Sequence, residues 1–317
     1  MAADRIIFDE DGDAQLLVGS AYSTTPTIFI ACSRALSRAS PVFDEIFHGA
    51  HAQQETGAVI IDLAHDQPAS LALLLSAMHA RFDHVPACLP IDALYDLTAA
   101  AQKYGATAAL RPWTGRWTQA VAVELEGEDG KLPKAASIYW ALGCRAGFFS
   151  AAARFAERAP EFAAADLTDL QLPPDTIEHM MAIRRQTIEL LCNVFRDMIR
   201  HLLIVDEGPR WCHHATWFGH HRCESMILGS LMSGLSRVKL WPLPDAKHVP
   251  DSVLDLYEKL DSVVVHDIGR EKEHVVDHQV CNPGQHLKSA IKDIMAGMPG
   301  RLSKFIMFKT GQLDLSK

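Results

Sequence analysis

The stretch Glu124-Leu125-Glu126-Gly127-Glu128-Asp129-Gly130-Lys131-Leu132-Pro133 divides this chain into two halves of different character. Glycine, proline and acidic side chains crowd together there, the composition of a boundary that few long-range contacts cross. Before it, short apolar runs rich in β-branched residues alternate with helical patterns. Beyond it, the apolar residues recur almost throughout at helical spacing. The expectation is an α+β domain over residues 1–120, a linker over 121–134 and a mostly helical domain over 135–317. A chain of 317 residues is long enough for two cores of ordinary size. Its 48% hydrophobic and 22% charged content is that of folded globular protein.

In the first half, Gln15-Leu16-Leu17-Val18-Gly19, Ile28-Phe29-Ile30 and Val59-Ile60-Ile61-Asp62-Leu63 are expected strands. Ser40-Pro41 starts a helix, because serine caps free N–H groups and proline at the next position has no N–H to leave orphaned. Asp66-Gln67-Pro68 starts another, in which Leu71, Leu74, Leu75 and Met78 share one face. A further helix runs from about Ile91 to Lys103, and Leu110 to Trp117 closes the unit. In the second half, Ala135 to Glu157 is helical. Pro173-Pro174-Asp175 opens a long helix to Leu203, with Ile177, Met181, Ile188, Leu191, Phe195, Met198 and Leu202 as its apolar stripe. Shorter helices are expected near 224–236, 252–260 and 287–295.

The runs Gly12-Asp13-Ala14-Gln15-Leu16-Leu17-Val18-Gly19, Phe29-Ile30-Ala31-Cys32-Ser33-Arg34-Ala35-Leu36 and Ser37-Arg38-Ala39-Ser40-Pro41-Val42-Phe43 occur in an order and spacing that resembles the BTB/POZ domain. The form common in filamentous fungi is the most similar. His79-Ala80-Arg81-Phe82-Asp83-His84-Val85-Pro86, Ala99-Ala100-Ala101-Gln102-Lys103-Tyr104 and Ala109-Leu110-Arg111-Pro112-Trp113 continue the resemblance across the first 120 residues. It implies a cluster of helices flanked by a short sheet, and a module that pairs with itself or with other proteins. By this resemblance, Asp13 and Arg34 occupy the place of a charged pair in the dimer groove; the alternative is an ordinary surface charge near a strand end. Cys32 stands where many animal members have histidine, and reads as a small core residue. Members that recruit cullin ubiquitin ligases carry a hydrophobic residue, any residue, then glutamate just after the position of Phe47. Here His51-Ala52-Gln53 stands in that place, which weakens a cullin partner. Phe47, His51 and Gln53 remain the candidate partner surface.

The second half resembles the regions that accompany these fungal domains, through Cys212, Cys223-Glu224-Ser225-Met226, Leu240-Trp241-Pro242-Leu243-Pro244 and His278-Gln279-Val280-Cys281. Three thiolates and one imidazole, from Cys212, Cys223, His278 and Cys281, would complete a tetrahedral structural zinc site. His278 and Cys281 lie three apart and can face one ligand from a single turn. Cys212 and Cys223 lie eleven apart, wider than a paired-cysteine knuckle, and His213, His214, His220 and His221 offer substitute ligands. The alternative is buried free cysteines beside solvated histidines. His274 and His278 could hold a catalytic metal, but the hydrolase pattern needs glutamate after the first histidine, where Val275 stands. No Gly-x-Ser-x-Gly elbow, phosphate-binding loop or dinucleotide fingerprint occurs.

A formal net charge of −9 gives no electrostatic footprint for nucleic acid. No apolar run approaches the ~20 residues of a membrane span. The N-terminal residues lack the basic start and apolar core of a signal peptide, and seven cysteines, an odd number, suit a reducing compartment. These features point to an intracellular protein of the cytoplasm or nucleus; the resemblance implies a non-enzymatic interaction protein, dimeric through its first domain, and the cysteine and histidine set adds structural zinc in the second. A cullin-ligase substrate adaptor and a transcriptional cofactor are the alternatives, and a metal-dependent hydrolase comes last.

Overall fold

The computed structural model describes residues 4–23, 25–49, 59–162, 167–168, 170–173, 175–204, 210–214, 217–266 and 277–310. The fold class is α+β, with four strands and eleven α-helices among the described residues. The chain forms two compact units, Met1–Ala151 with Thr168–Pro173, and Ala152–Leu167 with Pro174–Lys317.

The sheet of the first unit comprises β1 (Arg5–Ile7), β2 (Ala14–Val18), β3 (Thr27–Ala31) and β4 (Val59–Leu63), in the order β1-β3-β2-β4. β2 and β3 form an antiparallel hairpin, while β1 runs parallel to β3 and β4 parallel to β2. Leu16 lies opposite both Phe29 and Ile61. Ala14, Leu16 and Val18 alternate into the core with Phe29 and Ala31, the period of two expected of a sheet with one face buried. Gly19 leaves β2 with φ +79°, and a Cβ there would meet the Pro68 ring at 2.9 Å. Only glycine fits that turn without strain.

Helices α1 (Ser33–Ala39) and α2 (Pro41–His48) follow β3, and α3 (Pro68–Met78) follows β4. Ser40 caps α2 as expected, accepting the Phe43 N–H at 3.0 Å, and its hydroxyl also donates to the Tyr104 carbonyl at 2.5 Å. Phe43 stacks on the Tyr104 ring with centroids 4.4 Å apart. Tyr104 follows α4 (Ile91–Lys103) and donates its hydroxyl to Asp66 at 2.9 Å. Asp66 is 6% exposed and also receives the Lys103 ammonium at 2.7 Å. Burial, reinforced by the Asp66 charge, pushes the Tyr104 phenol far above its usual range, so it stays a donor.

His79, at the end of α3, donates from Nδ1 to the Leu75 carbonyl at 2.8 Å and accepts the Cys32 N–H on Nε2 at 3.0 Å. This arrangement needs the neutral ring, and it ties the last turn of α3 to the end of β3.

The acidic stretch that reads as a linker is instead a tight connection within the first unit. α5 (Thr114–Glu124) ends there and α6 (Leu132–Ala141) begins, packed against α4. Glu124 accepts the Ile91 N–H at 2.9 Å, at the N-terminus of α4, and pairs with Lys131 at 2.7 Å. Charges that look solvated in sequence thus satisfy an orphan helix N–H. The units part after Ala151, within α7 (Arg145–Arg158), and not over 121–134. The stretch expected to be helical over 135–157 forms two helices, α6 and α7, and the chain turns between them at Gly143 with φ +73°.

The second unit contains α8 (Thr176–Leu203), α9 (Trp217–Arg237), α10 (Val253–Asp261) and α11 (Gly284–Thr310). α8 packs most extensively on α11. Its buried face takes in Met180, Ile188, Leu191, Phe195, Met198 and Leu202 as expected, with Ile183 beside them, while Ile177 and Met181, which read as core, are half-buried. Arg184 shares that face because its guanidinium donates to the Val249 and Asp251 carbonyls at 3.2 and 2.6 Å. Ser252 caps α10 by accepting the Asp255 N–H at 3.0 Å. No helix among the described residues is long and apolar enough to cross a membrane.

Two outcomes follow for stability. Asp66→Ala leaves the Tyr104 hydroxyl without its acceptor and releases Lys103, and is expected to cost about 1–3 kcal/mol in urea unfolding. Burial depresses His79 below its ordinary value of 6.5, against the opposing influence of the Leu75 carbonyl and Asp9. The unfolded chain therefore takes up this proton first as pH falls. The His79 contribution is whole above pH 6.5 and is lost as pH drops toward the depressed folded value. Urea midpoints measured between pH 5 and pH 7.5 should show this slope, and His79→Gln should remove it.

Candidate metal centre

Three separate segments of the second unit supply the cluster. Cys212 lies in the irregular segment 210–214, and Cys223 sits on α9. His278 and Cys281 occupy the first and last positions of the 3-10 turn His278–Cys281, just before α11. Asp277 starts that turn by accepting the Gln279 N–H at 3.0 Å, and the spacing of three then points both side chains the same way.

The four donor atoms all lie within 4.8 Å of one another, and all four residues are buried. Cys212 Sγ is 3.6 Å from His278 Nδ1 and 3.9 Å from Cys281 Sγ, and Cys281 Sγ is 4.0 Å from Nδ1. A tetrahedral ion with metal–sulfur bonds of about 2.3 Å and a metal–nitrogen bond of about 2.0 Å requires edges of roughly 3.8 Å and 3.5 Å. The two Cys212 separations are close to these edges, and the Cys281–His278 separation is somewhat longer. All the cysteines are free thiols, and 3.9 Å is nearly twice the ~2.05 Å of a disulfide.

Burial pushes the Cys212 and Cys223 thiols up; both neighbouring thiols raise Cys223 further, whereas at Cys212 the His214 main chain and the Cys223 thiol oppose burial and only Cys281 reinforces it. A divalent ion among these thiols would offset the effect of burial by binding thiolate directly.

Groups around the cluster hold the ligands in place. Glu224, next to Cys223 on α9, accepts the main-chain N–H groups of Trp211 and Cys212 on one oxygen, at 3.0 and 3.2 Å. Arg210 reaches the other oxygen at 3.4 Å. The Trp211 indole donates to the Cys281 carbonyl at 2.7 Å and packs near the rings of His201 and His286. His214 Nε2 donates to the Asp277 carbonyl at 3.1 Å, and its ring meets His278 edge-on with centroids 4.8 Å apart.

The eleven-residue spacing of Cys212 and Cys223 is therefore bridged by a loop fastened to α9, not by a knuckle. His214 orients the turn that carries His278 and is not itself a ligand, and His213 is exposed. Glu224 and Trp211 are residues to which motif reasoning gave no role, and His214, read as a substitute ligand, bonds the Asp277 carbonyl instead. An acidic residue directly after a helical ligand is the one trace that Glu224 leaves in sequence.

The candidate residues of the first unit fall out differently. Asp13 accepts the Ser33 N–H and hydroxyl, each at 2.7 Å, and so serves the N-terminus of α1. Burial opposes its ionisation, but those two bonds, its own N–H and the Arg34 charge outweigh burial and hold the carboxyl below its usual range. Arg34 is exposed and makes no ion pair with Asp13. Phe47 is half-buried, its ring stacked at 6.2 Å on Phe43. His51, Gln53 and His274 lie outside the described residues.

No protein-family model matches the chain, and no curated protein matches it.

The buried cluster could hold a metal ion. Cys281→Ser replaces a soft ligand at the centre of the cluster and should reduce bound metal to a small fraction, measured by elemental analysis of protein dialysed against metal-free buffer.

Proposed function

We propose that the protein is a non-enzymatic protein–protein interaction scaffold of the BTB/POZ kind. Its second unit is stabilised by a structural zinc ion on Cys212, Cys223, His278 and Cys281. The observation that carries this reading is the closed donor set. Three sulfurs and one nitrogen, all from buried side chains, are enough to fill the four positions of a tetrahedral ion, which would leave none for water or substrate. A catalytic zinc keeps such a position open. Three soft donors with one imidazole select zinc over magnesium or calcium, which take oxygen ligands. The ion then joins irregular chain to the helices of the second unit.

The first unit supports the interaction half of the reading through its architecture, a helical cluster flanked by a short four-stranded sheet. That arrangement agrees with what the resemblance of residues 1–120 implies. The surface around Phe47 is the candidate docking region, because part of this large ring stays open while Phe43 anchors the rest.

Affinity purification from the native host, followed by identification of the co-purifying proteins, tests the function. Recovery of the protein with itself and with non-cullin companions is expected. A near-stoichiometric cullin that is lost on Phe47→Ala would replace the scaffold by a ligase adaptor. Light scattering at micromolar concentration should give a dimer, and a strict monomer would remove the self-association. Zinc should be the metal found. An ion that supports hydrolytic turnover would overturn the structural assignment.

A further inference from the structure

Glu224 has an unusual position for a carboxylate. It is 5% exposed, it follows a metal-facing cysteine on the same helix, and one of its oxygens receives two consecutive main-chain N–H groups. Burying a carboxylate costs several kcal/mol unless hydrogen bonds and charge offset it. Here the offset comes from the Trp211 and Cys212 N–H groups and from Arg210. The Arg210 side chain is 30% exposed and stands off at 3.4 Å, so the two N–H groups are the closer and better-shielded partners.

These bonds determine where Cys212 sits. Segment 210–214 has no regular structure to satisfy its main chain, and Glu224 gives the Trp211 and Cys212 N–H groups an acceptor rooted in α9. Cys223 and Glu224 are neighbours on that helix, so the ligand from α9 and the clamp on the loop move together. Trp211, held by Glu224 at its main chain, passes the constraint on through its indole to the carbonyl of Cys281. A run of hydrogen bonds thus links all three ligand-bearing segments without passing through the metal position.

We propose that Glu224 is the positioning residue of the metal centre, holding Cys212 in ligand geometry so that the four donors are already assembled when the ion arrives. This rests on the zinc reading above. Glu224 is not a ligand in place of one of the four, because its inner oxygen is committed to two N–H groups. Its contribution is the entropy of loop ordering that the ion would otherwise have to supply.

The test compares the full-length wild type with Glu224→Ala, Glu224→Asp and Glu224→Gln. Zinc affinity is read by competition with a chromophoric chelator, and the thiolate set is read from the cobalt(II) absorption spectrum. Glu224→Ala should bind zinc about 10–100-fold more weakly, the usual consequence of losing a group that orients a ligand. Its cobalt spectrum should lose thiolate charge-transfer intensity toward a two-thiolate value as Cys212 departs. Glu224→Asp, one methylene shorter, should weaken binding in the same direction and serves if the alanine variant does not fold. Glu224→Gln keeps an acceptor oxygen and should stay within about threefold of wild type, which a general loss of structure would not allow. Unchanged affinity and an unchanged three-thiolate spectrum in both the alanine and aspartate variants would overturn the proposal while leaving zinc binding intact. A wild-type chain that takes up neither zinc nor cobalt would overturn the zinc reading, and the positioning role with it.

Discussion

The second unit depends on bringing together cysteines that are far apart in sequence. Cys212 meets Cys281 across 69 residues and His278 across 66, and closing loops of that length costs entropy that no local helix recovers. Hydrogen bonds do part of this work. Glu224 fastens the Cys212 segment to α9, Trp211 reaches the Cys281 carbonyl, and His214 reaches the carbonyl of Asp277. Each bond contributes little alone. Together they converge on one buried volume, so a single ion bound there would act on all three segments at once. A metal that binds only this assembled arrangement stabilises the folded chain in proportion to its affinity.

The first unit solves a similar problem with polar groups buried between helices. Ser40, Tyr104, Asp66 and Lys103 form a line in which each donor meets an acceptor, from the cap of α2 to the end of α4. The Phe43–Tyr104 stack packs against that line and shields it from water. In a shielded setting such bonds are stronger than in water, and an unpaired member costs more. Asp13 and Glu124 repeat the theme at helix N-termini, each accepting a main-chain N–H from an element distant in sequence.

Much of this was legible in the sequence, and the failures have physical reasons. The Ser40-Pro41 start, the Leu71–Met78 face and the long helix up to Leu203 announce themselves through capping chemistry and a 3.6-residue period, which are local. The four donors were legible because soft ligands are rare and the His278–Cys281 spacing fits one turn. The Glu124–Pro133 stretch misled because composition cannot tell a solvated acid from one bonded to a distant N–H. Arg184 turns inward to bond the carbonyls of Val249 and Asp251, so a charge joins the buried face of α8 where no periodicity would place one. Glu224 escaped for the same reason, since its partners come from another segment and are main-chain atoms.

The order of the ligands along the chain also has a consequence in time. Cys212 and Cys223 are made early in the second unit, whereas His278 and Cys281 follow roughly sixty residues later. At a synthesis rate of about 5–20 residues per second that is an interval of several seconds. The nascent chain spends it with two cysteines already made and their partners not yet in existence. The first unit, whose described elements are complete by then, can fold in that interval. The second must wait for the turn before its last helix, so the ribosome itself imposes a sequence in which one unit is finished before the other can close.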